Sequence, residues 1–192
     1  MTTMAVRESN LVHSVPTDTA LFARIHDGDT GALGLLYDRY DRDVRRVIAR
    51  LGVPPSDVDD ILQATFLEVL NCADRYDGRE CGKPWLIGLA VIVVRRHRRS
   101  LARLAARLSN WASLPSAGVD TPEESAGANQ AADRAQDALN RLSPKKREAF
   151  VLLALEGLSG EEAAKSVGVP LQTVWTRLHH ARRELRAALE ET

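Results

Sequence analysis

The sequence predicts an all-α protein: two small helical domains joined by a flexible linker, the C-terminal one a helix-turn-helix. Three observations carry that expectation. Only 5% of the 192 residues are aromatic, and long Val/Ile/Thr alternations with hairpin turns are missing, which disfavours a sheet. Apolar residues recur at spacings of three and four over several segments. Residues 110–136 hold Pro115, Ser116, Gly118, Pro122, Ser125 and Gly127 among alanines and acids without a sustained apolar period, so they read as a linker between domains at 19–109 and 137–190. Fully extended, such a linker reaches at most ~90 Å, and as a relaxed coil it averages ~30 Å.

In the first domain, residues 19–25 and 33–51 form the opening helices. Leu33, Leu36, Tyr37, Tyr40, Val44, Val47 and Ile48 make one apolar stripe, and Gly52 with Pro54-Pro55 ends the run. A third helix starts near Ser56, where Ser56 and Asp59 imitate a reciprocal cap. Val58, Ile61, Leu62, Thr65 and Val69 line its inner face, while Asp60, Gln63, Ala64 and Leu67 form a second, semi-polar stripe at i, i+3, i+4 and i+7. Residues 76–83 read as a loop. Pro84-Trp85-Leu86 then begins a helix whose Leu86, Leu89, Ala90, Val93 and Val94 suit burial and whose Arg95, Arg96, Arg98, Arg99 and Arg103 form a strip fit for phosphates.

In the second domain, Ser143 as cap and Pro144 in the first turn open a helix that runs into Phe150, Val151, Leu152, Leu153 and Leu155. Ser159 and Glu162 have capping-box spacing, worth about 1 kcal/mol. Ala163, Ala164 and Val167 permit close packing, Gly168 supplies a positive φ at the stop, and Pro170 restarts the chain. In the next helix Val174, Leu178 and Ala181 face inward. That leaves Gln172, Thr173, Trp175, Thr176, Arg177, His179, His180, Arg182 and Arg183 outward or on the flanks, where such side chains hydrogen-bond base edges and phosphates.

Charge agrees with a polyanion partner only through its distribution. The formal net charge is zero, with 27% charged and 44% hydrophobic residues. Yet residues 83–107 hold Lys83, Arg95, Arg96, Arg98, Arg99, Arg103 and Arg107 with no acid, whereas residues 119–133 hold Asp120, Glu123, Glu124 and Asp133 with no base. The N-terminus lacks a signal-like apolar core, and the longest uncharged apolar run is far shorter than the ~20 residues that span a bilayer, so a cytoplasmic location without membrane insertion is expected. Cys72 and Cys81 match neither a zinc pair nor a disulfide framework; they are read as reduced and structural or incidental, with a redox-sensing pair as the alternative. No cofactor or metal is expected.

Residues 138–189, with LNRLSPKKREAFVLL, EGLSGEEAAKSVGV and TVWTRLHHARRELRAAL, closely resemble the promoter-reading domain of bacterial RNA polymerase sigma factors of the extracytoplasmic-function type. The DVDDILQATFLEVL stretch at 57–70 is similar to the sigma segment that grips the polymerase clamp helices. The resemblance assigns that contact to Asp60 and Gln63, on the stripe with Ala64 and Leu67; the family commonly has an acid at the position of Ala64. The loop and helix from Lys83 onward resemble the segment that opens the promoter and holds flipped bases. Lys83, Trp85, Arg95, Arg96, Arg98 and Arg99 are its candidate contacts, Trp85 also being a candidate for plain core. Val91-Ile92 stands where the family usually has a polar Arg-Asn pair, and Pro170 and Trp175 replace a usual Ser cap and a polar residue. The resemblance further implies that Gln172, Thr173, Trp175, Thr176, Arg177, His180, Arg182 and Arg183 face the minus-thirty-five element. Its implied partners are core RNA polymerase, promoter DNA and an anti-sigma factor; catalysis would belong to the polymerase.

Two other readings fit parts of the sequence. One is a stand-alone helix-turn-helix regulator that binds DNA without polymerase. The other is a catalyst using His13, His26, His97, His179 or His180, disfavoured because the adjacent His179 and His180 point to different helix faces and have no carboxylate or cysteine at ligand spacing.

Overall fold

The structure is a computed structural model that describes residues 15–78, 81–111 and 130–190. Eight α-helices and no strand occur among them: α1 (Asp18–His26), α2 (Thr30–Arg50), α3 (Val58–Cys72), α4 (Lys83–Trp111), α5 (Gln130–Arg141), α6 (Pro144–Phe150), α7 (Gly160–Val167) and α8 (Leu171–Glu190). The middle of the expected linker, 112–129, and the N-terminal 1–14 lie outside the described residues.

The Thr17 hydroxyl caps α1 by accepting from the Ala20 amide, and Leu21, Phe22 and Ile25 go into the core. Asp29 caps α2 through the Ala32 amide and is itself held by Arg24, whose Nε and Nη2 lie 2.9 and 2.7 Å from one oxygen. That bidentate grip keeps the Asp29 carboxyl below the usual carboxylate range. The expected stripe of α2 is only partly realised: Leu36, Val44, Val47 and Ile48 are fully buried, while Leu33, Tyr37 and Tyr40 pack at its edge.

Two expected caps do not form. Pro54-Pro55 tightens the chain into a 3-10 turn, Pro55–Asp57, so α3 starts at Val58. The Ser56 hydroxyl turns to Asp57, and Asp59 is drawn off to Arg45. Ser143 precedes α6 with its carbonyl, not its hydroxyl, receiving the first amides, and a wide π turn, Val151–Leu155, follows the helix. Residues 130–136, read as linker, are the opening turns of α5; Ala131, Ala132 and Ala135 favour helix without marking an apolar period.

The α4 helix is the axis of the molecule. It packs on α2 and α3 with one side and on α7 with another. One continuous core therefore runs from Leu21 through Leu86 and Val94 to Val151, Ala163 and Val174, and a smaller cluster of Leu139, Leu142 and Ala181 holds α5 to α8. This double cover explains why Ile87 and Val91, beyond the expected buried set, are also sealed from solvent.

The seam between the two halves is close. A Cβ added at Gly88 would sit 2.7 Å from the Ser166 hydroxyl oxygen, so with serine at 166 a side chain at 88 would push α7 away. At the end of α2, Gly52 takes a φ of +82°, and the Arg147 guanidinium fills the space where any side chain would stand. Arg147 is buried and donates to four carbonyls: Leu51 at 3.0 Å across the seam, and Leu139, Asn140 and Leu142 at 2.7, 2.6 and 3.3 Å within its own half. Burial and the nearby Arg98 push its pKa down to about 10, which still leaves it charged at neutral pH. Ion pairs flank it. Arg50 lies 2.7 Å from Glu156, whose carboxylate is almost sealed from solvent, with Lys83 at 3.6 Å from its other oxygen.

Candidate nucleic-acid and polymerase interfaces

The helix-turn-helix forms as its sequence predicts. Glu162 N donates to the Ser159 hydroxyl at 3.2 Å and Ser159 N donates back to the Glu162 carboxylate at 2.9 Å, completing the capping box. Gly168 closes α7 in the left-handed region at φ +65°, and Pro170 accepts the first amides of α8 through its carbonyl. Ala163 and Val167 on α7 and Val174, Leu178 and Ala181 on α8 are buried, which sets the rotation of α8 about its axis.

That rotation leaves Gln172, Trp175, Thr176, His179, Arg182 and Arg183 exposed, with Thr173, Arg177 and His180 half-buried at the margins. Arg177 and Arg182 meet no acid among the described residues; Arg183 has only the His180 ring, at 3.4 Å. The front turn of α8 is apolar as well as polar. Leu171 and Trp175 are both over two-fifths exposed and lie one helical turn apart, packed over Gly160, where a Cβ would come within 2.9 Å of the indole.

On α3, Asp60, Gln63, Ala64 and Leu67 emerge on one exposed stripe, because Val58, Ile61, Leu62, Thr65 and Val69 turn the opposite side to the core. The Thr65 hydroxyl is satisfied by donating to the Ile61 carbonyl at 2.7 Å. Among the described residues the stripe keeps Asp60 clear of any cation.

The basic strip of α4 differs from expectation. Arg95 binds Glu148 through Nε at 3.1 Å and Nη2 at 2.5 Å, and its Nη1 donates to the Val167 carbonyl at 2.6 Å. Arg98 donates to the Leu51 carbonyl and lies 3.7 Å from Glu148. Burial drives the Arg98 pKa downward, though Glu148 opposes the shift. Lys83 sits between Asp43 and Glu156, and Arg96 lies 3.4 Å from Glu68. Arg99, Arg103 and Arg107 remain exposed. The strip is thus divided: Lys83, Arg95 and Arg98 face acids of the C-terminal half, while Arg96 and Arg99 face outward. Nothing in the local sequence signals this, because Glu148 and Glu156 stand at least 50 residues away from the cations they hold.

Trp85 is half-buried in a three-ring cluster, edge-on to Phe22 at 5.0 Å and to Tyr76 at 5.9 Å between centroids. Beside it a cleft of about 210 Å³ runs along the seam, lined by Trp85, Leu89 and Ile92 of α4 and by Glu162, Lys165 and Ser166 of α7. Cys72 is buried and its thiol is pushed up by that burial; Cys81 is exposed near the Tyr40 hydroxyl, at 3.8 Å. No group of three His, Cys, Asp or Glu among the described residues is placed to hold a metal ion, and no helix among them is long and apolar enough to cross a membrane.

A capped helix-turn-helix with arginines on its outer face and a basic helix beside it have the build of a DNA-binding protein, and a separate exposed stripe runs along α3. The family model for Sigma-70 region 2 matches residues 36–104, and that for Sigma-70 region 4 matches residues 132–185. The chain is 33% identical over 179 residues to the RNA polymerase sigma factor NccH of Alcaligenes xylosoxydans xylosoxydans, covering 91% of this chain and 96% of that one. It is 34% identical to the ECF sigma factor SigE of Mycolicibacterium smegmatis, covering 89% and 67%. Its fold is similar to that of CnrH solved with the cytosolic domain of CnrY, with a TM-score of 0.64 and 28% identity over 91% of this chain and 97% of that chain. RpoE solved with the anti-sigma factor NepR from Bartonella quintana gives 0.60 and 25%, over 78% and 91%. The chain belongs to the extracytoplasmic-function sigma factors, which bind core RNA polymerase and direct promoter-specific transcription initiation.

Proposed function

We propose that the three faces divide initiation among them. The Asp60–Gln63–Ala64–Leu67 stripe of α3 docks on core polymerase, and the outward face of α8, with Gln172, Thr173, Trp175, Thr176, Arg177, His180, Arg182 and Arg183, enters the major groove at the minus-thirty-five element. Arg96 and Arg99 meet promoter phosphates near the melted edge, where Trp85 and Lys83 flank the unpaired strand. The chain acts in the cytoplasm as a subunit and not as an enzyme. A relative is held by the anti-sigma factor NepR, and an anti-sigma partner is the corresponding proposal for this chain.

The observation that carries the reading is that side chains chosen for one contact emerge together on one exposed stripe of α3, and those chosen for another on one face of α8. Run-off transcription with purified core polymerase tests it. Substituting Asp60 and Gln63 should abolish co-elution with core and leave the fold intact; unchanged co-elution would remove the α3 face from the role.

The closed seam is the resting form of this machine. Promoter elements about 25 base pairs apart are separated by about 85 Å at 3.4 Å per pair, whereas each half has a radius of gyration of only about 12 Å. Two such bodies in direct contact do not reach both elements. Working therefore requires α7 to leave α4, and that same motion releases Lys83, Arg95 and Arg98 from Glu148 and Glu156.

A further inference from the structure

The first helix opens on a buried carboxylate that three donors share. Asp18 is 3% exposed although it is the first residue of α1. Donors from two separate elements converge on it. Arg39 of α2 pairs with Oδ1 and also donates to the Pro16 carbonyl at 2.7 Å. The Tyr40 hydroxyl donates to Oδ2 at 2.5 Å. The backbone amide of Gly82, the residue before α4, donates to the same oxygen at 2.6 Å.

The approach of Gly82 is tight: a Cβ there would lie 2.9 Å from the Phe22 ring and 3.1 Å from Asp18 Oδ2. Phe22, one turn further along α1, stacks on Tyr76 at 3.9 Å between ring centroids and meets Trp85 edge-on. So α1 holds the entry of α4 twice, by a charged hydrogen bond at Gly82 and by aromatic packing at Trp85. Lys83 and Trp85 follow directly.

We propose that Asp18 is a positioning residue for promoter opening: its buried carboxylate fixes the start of α4, and with it Lys83 and Trp85, against α1 and α2. This rests on the reading of Lys83 and Trp85 as neighbours of the unpaired strand. The chemistry requires a carboxylate. An ionised Asp only accepts, which matches three converging donors, whereas an Asn would turn an NH2 group against at least one of them. Burial of the Tyr40 hydroxyl beside that carboxylate drives its pKa upward, so it stays a donor throughout the neutral range.

The test uses the full chain with core polymerase on a promoter recovered by chromatin mapping. Asp18→Asn is compared with the unsubstituted protein on the duplex promoter and on the same promoter carrying a pre-opened mismatch bubble. Initiation and permanganate reactivity of unpaired thymines are read on each. The expected result is a loss of tenfold or more on the duplex, recovery to within about twofold on the bubble, and unchanged co-elution with core. Equal losses on both templates, or no loss on the duplex, overturn the proposal. Trp85→Ala and Lys83→Ala run alongside: if they leave duplex opening unchanged, the reading of those two residues fails by itself, whatever Asp18→Asn does. Should Asp18→Asn not fold, Tyr40→Phe removes one donor without changing the ring and should give the same template dependence at smaller size; an unaltered duplex-to-bubble ratio would then count against Asp18.

Discussion

The two long basic helices, α4 and α8, look alike in sequence and serve differently in the fold. On α8, Arg177 and Arg182 face no acid among the described residues, while on α4 Arg95 and Arg98 are drawn to Glu148, and Lys83 to Glu156. Availability of a cation is thus decided by tertiary partners. A helix whose inner face is covered by its own half leaves its arginines open to an outside polyanion, and a helix sandwiched between two halves has some of them claimed from the far side.

The largest expected effect separates a structural arginine from a DNA-facing one. Arg147→Met takes a buried charged donor away from the carbonyls of Leu51 across the seam and of Leu139, Asn140 and Leu142 in its own half, and should lower unfolding free energy by about 3 kcal/mol, read from urea denaturation. Arg177→Ala should leave that curve in place but weaken promoter binding and flatten its salt dependence by about one unit, if its partner is a phosphate. Equal stability loss in both would erase the distinction drawn between the two helices.

A second substitution sharpens the comparison from the acidic side. Glu148→Gln takes away the shared partner of Arg95 and Arg98, so the free factor should bind nonspecific duplex more tightly, with a salt slope steeper by up to about two units. Fluorescence anisotropy across a salt series reads this directly; an unchanged slope would mean the two arginines never reach phosphate. The smallest effect is local to the helix-turn-helix. Ser159→Ala should cost about 1 kcal/mol by deleting one side of the capping box, while Ser143→Ala, whose hydroxyl makes no cap, should cost less by the same denaturation measurement.

These contrasts follow the line between local and distant information. The helix-turn-helix was legible because Ser159, Glu162 and Gly168 act within one turn of themselves, and the exposed α3 stripe because its buried counterpart keeps a clean helical period. The caps expected at Ser56 and Ser143 failed where neighbours competed: Pro54-Pro55 rewound the first, and backbone carbonyls served the second. Burial of Ile87 and Val91, the capture of Arg95, and the convergence on Asp18 depend on residues outside their own helices, from 21 positions away for Arg39 on Asp18 to 72 for Val167 on Arg95. No periodicity within α4 or α1 encodes them.

The central claim, that the two halves must part for the factor to work, is tested most directly by fastening the seam. A Cβ at Gly88 would lie 3.3 Å from that of Ser166, close to the range that a disulfide bridges. Gly88→Cys with Ser166→Cys, placed in a background lacking Cys72 and Cys81, should be silent in run-off transcription when oxidised and recover fully when reduced. Oxidised protein that initiates as well as the reduced form would contradict the account.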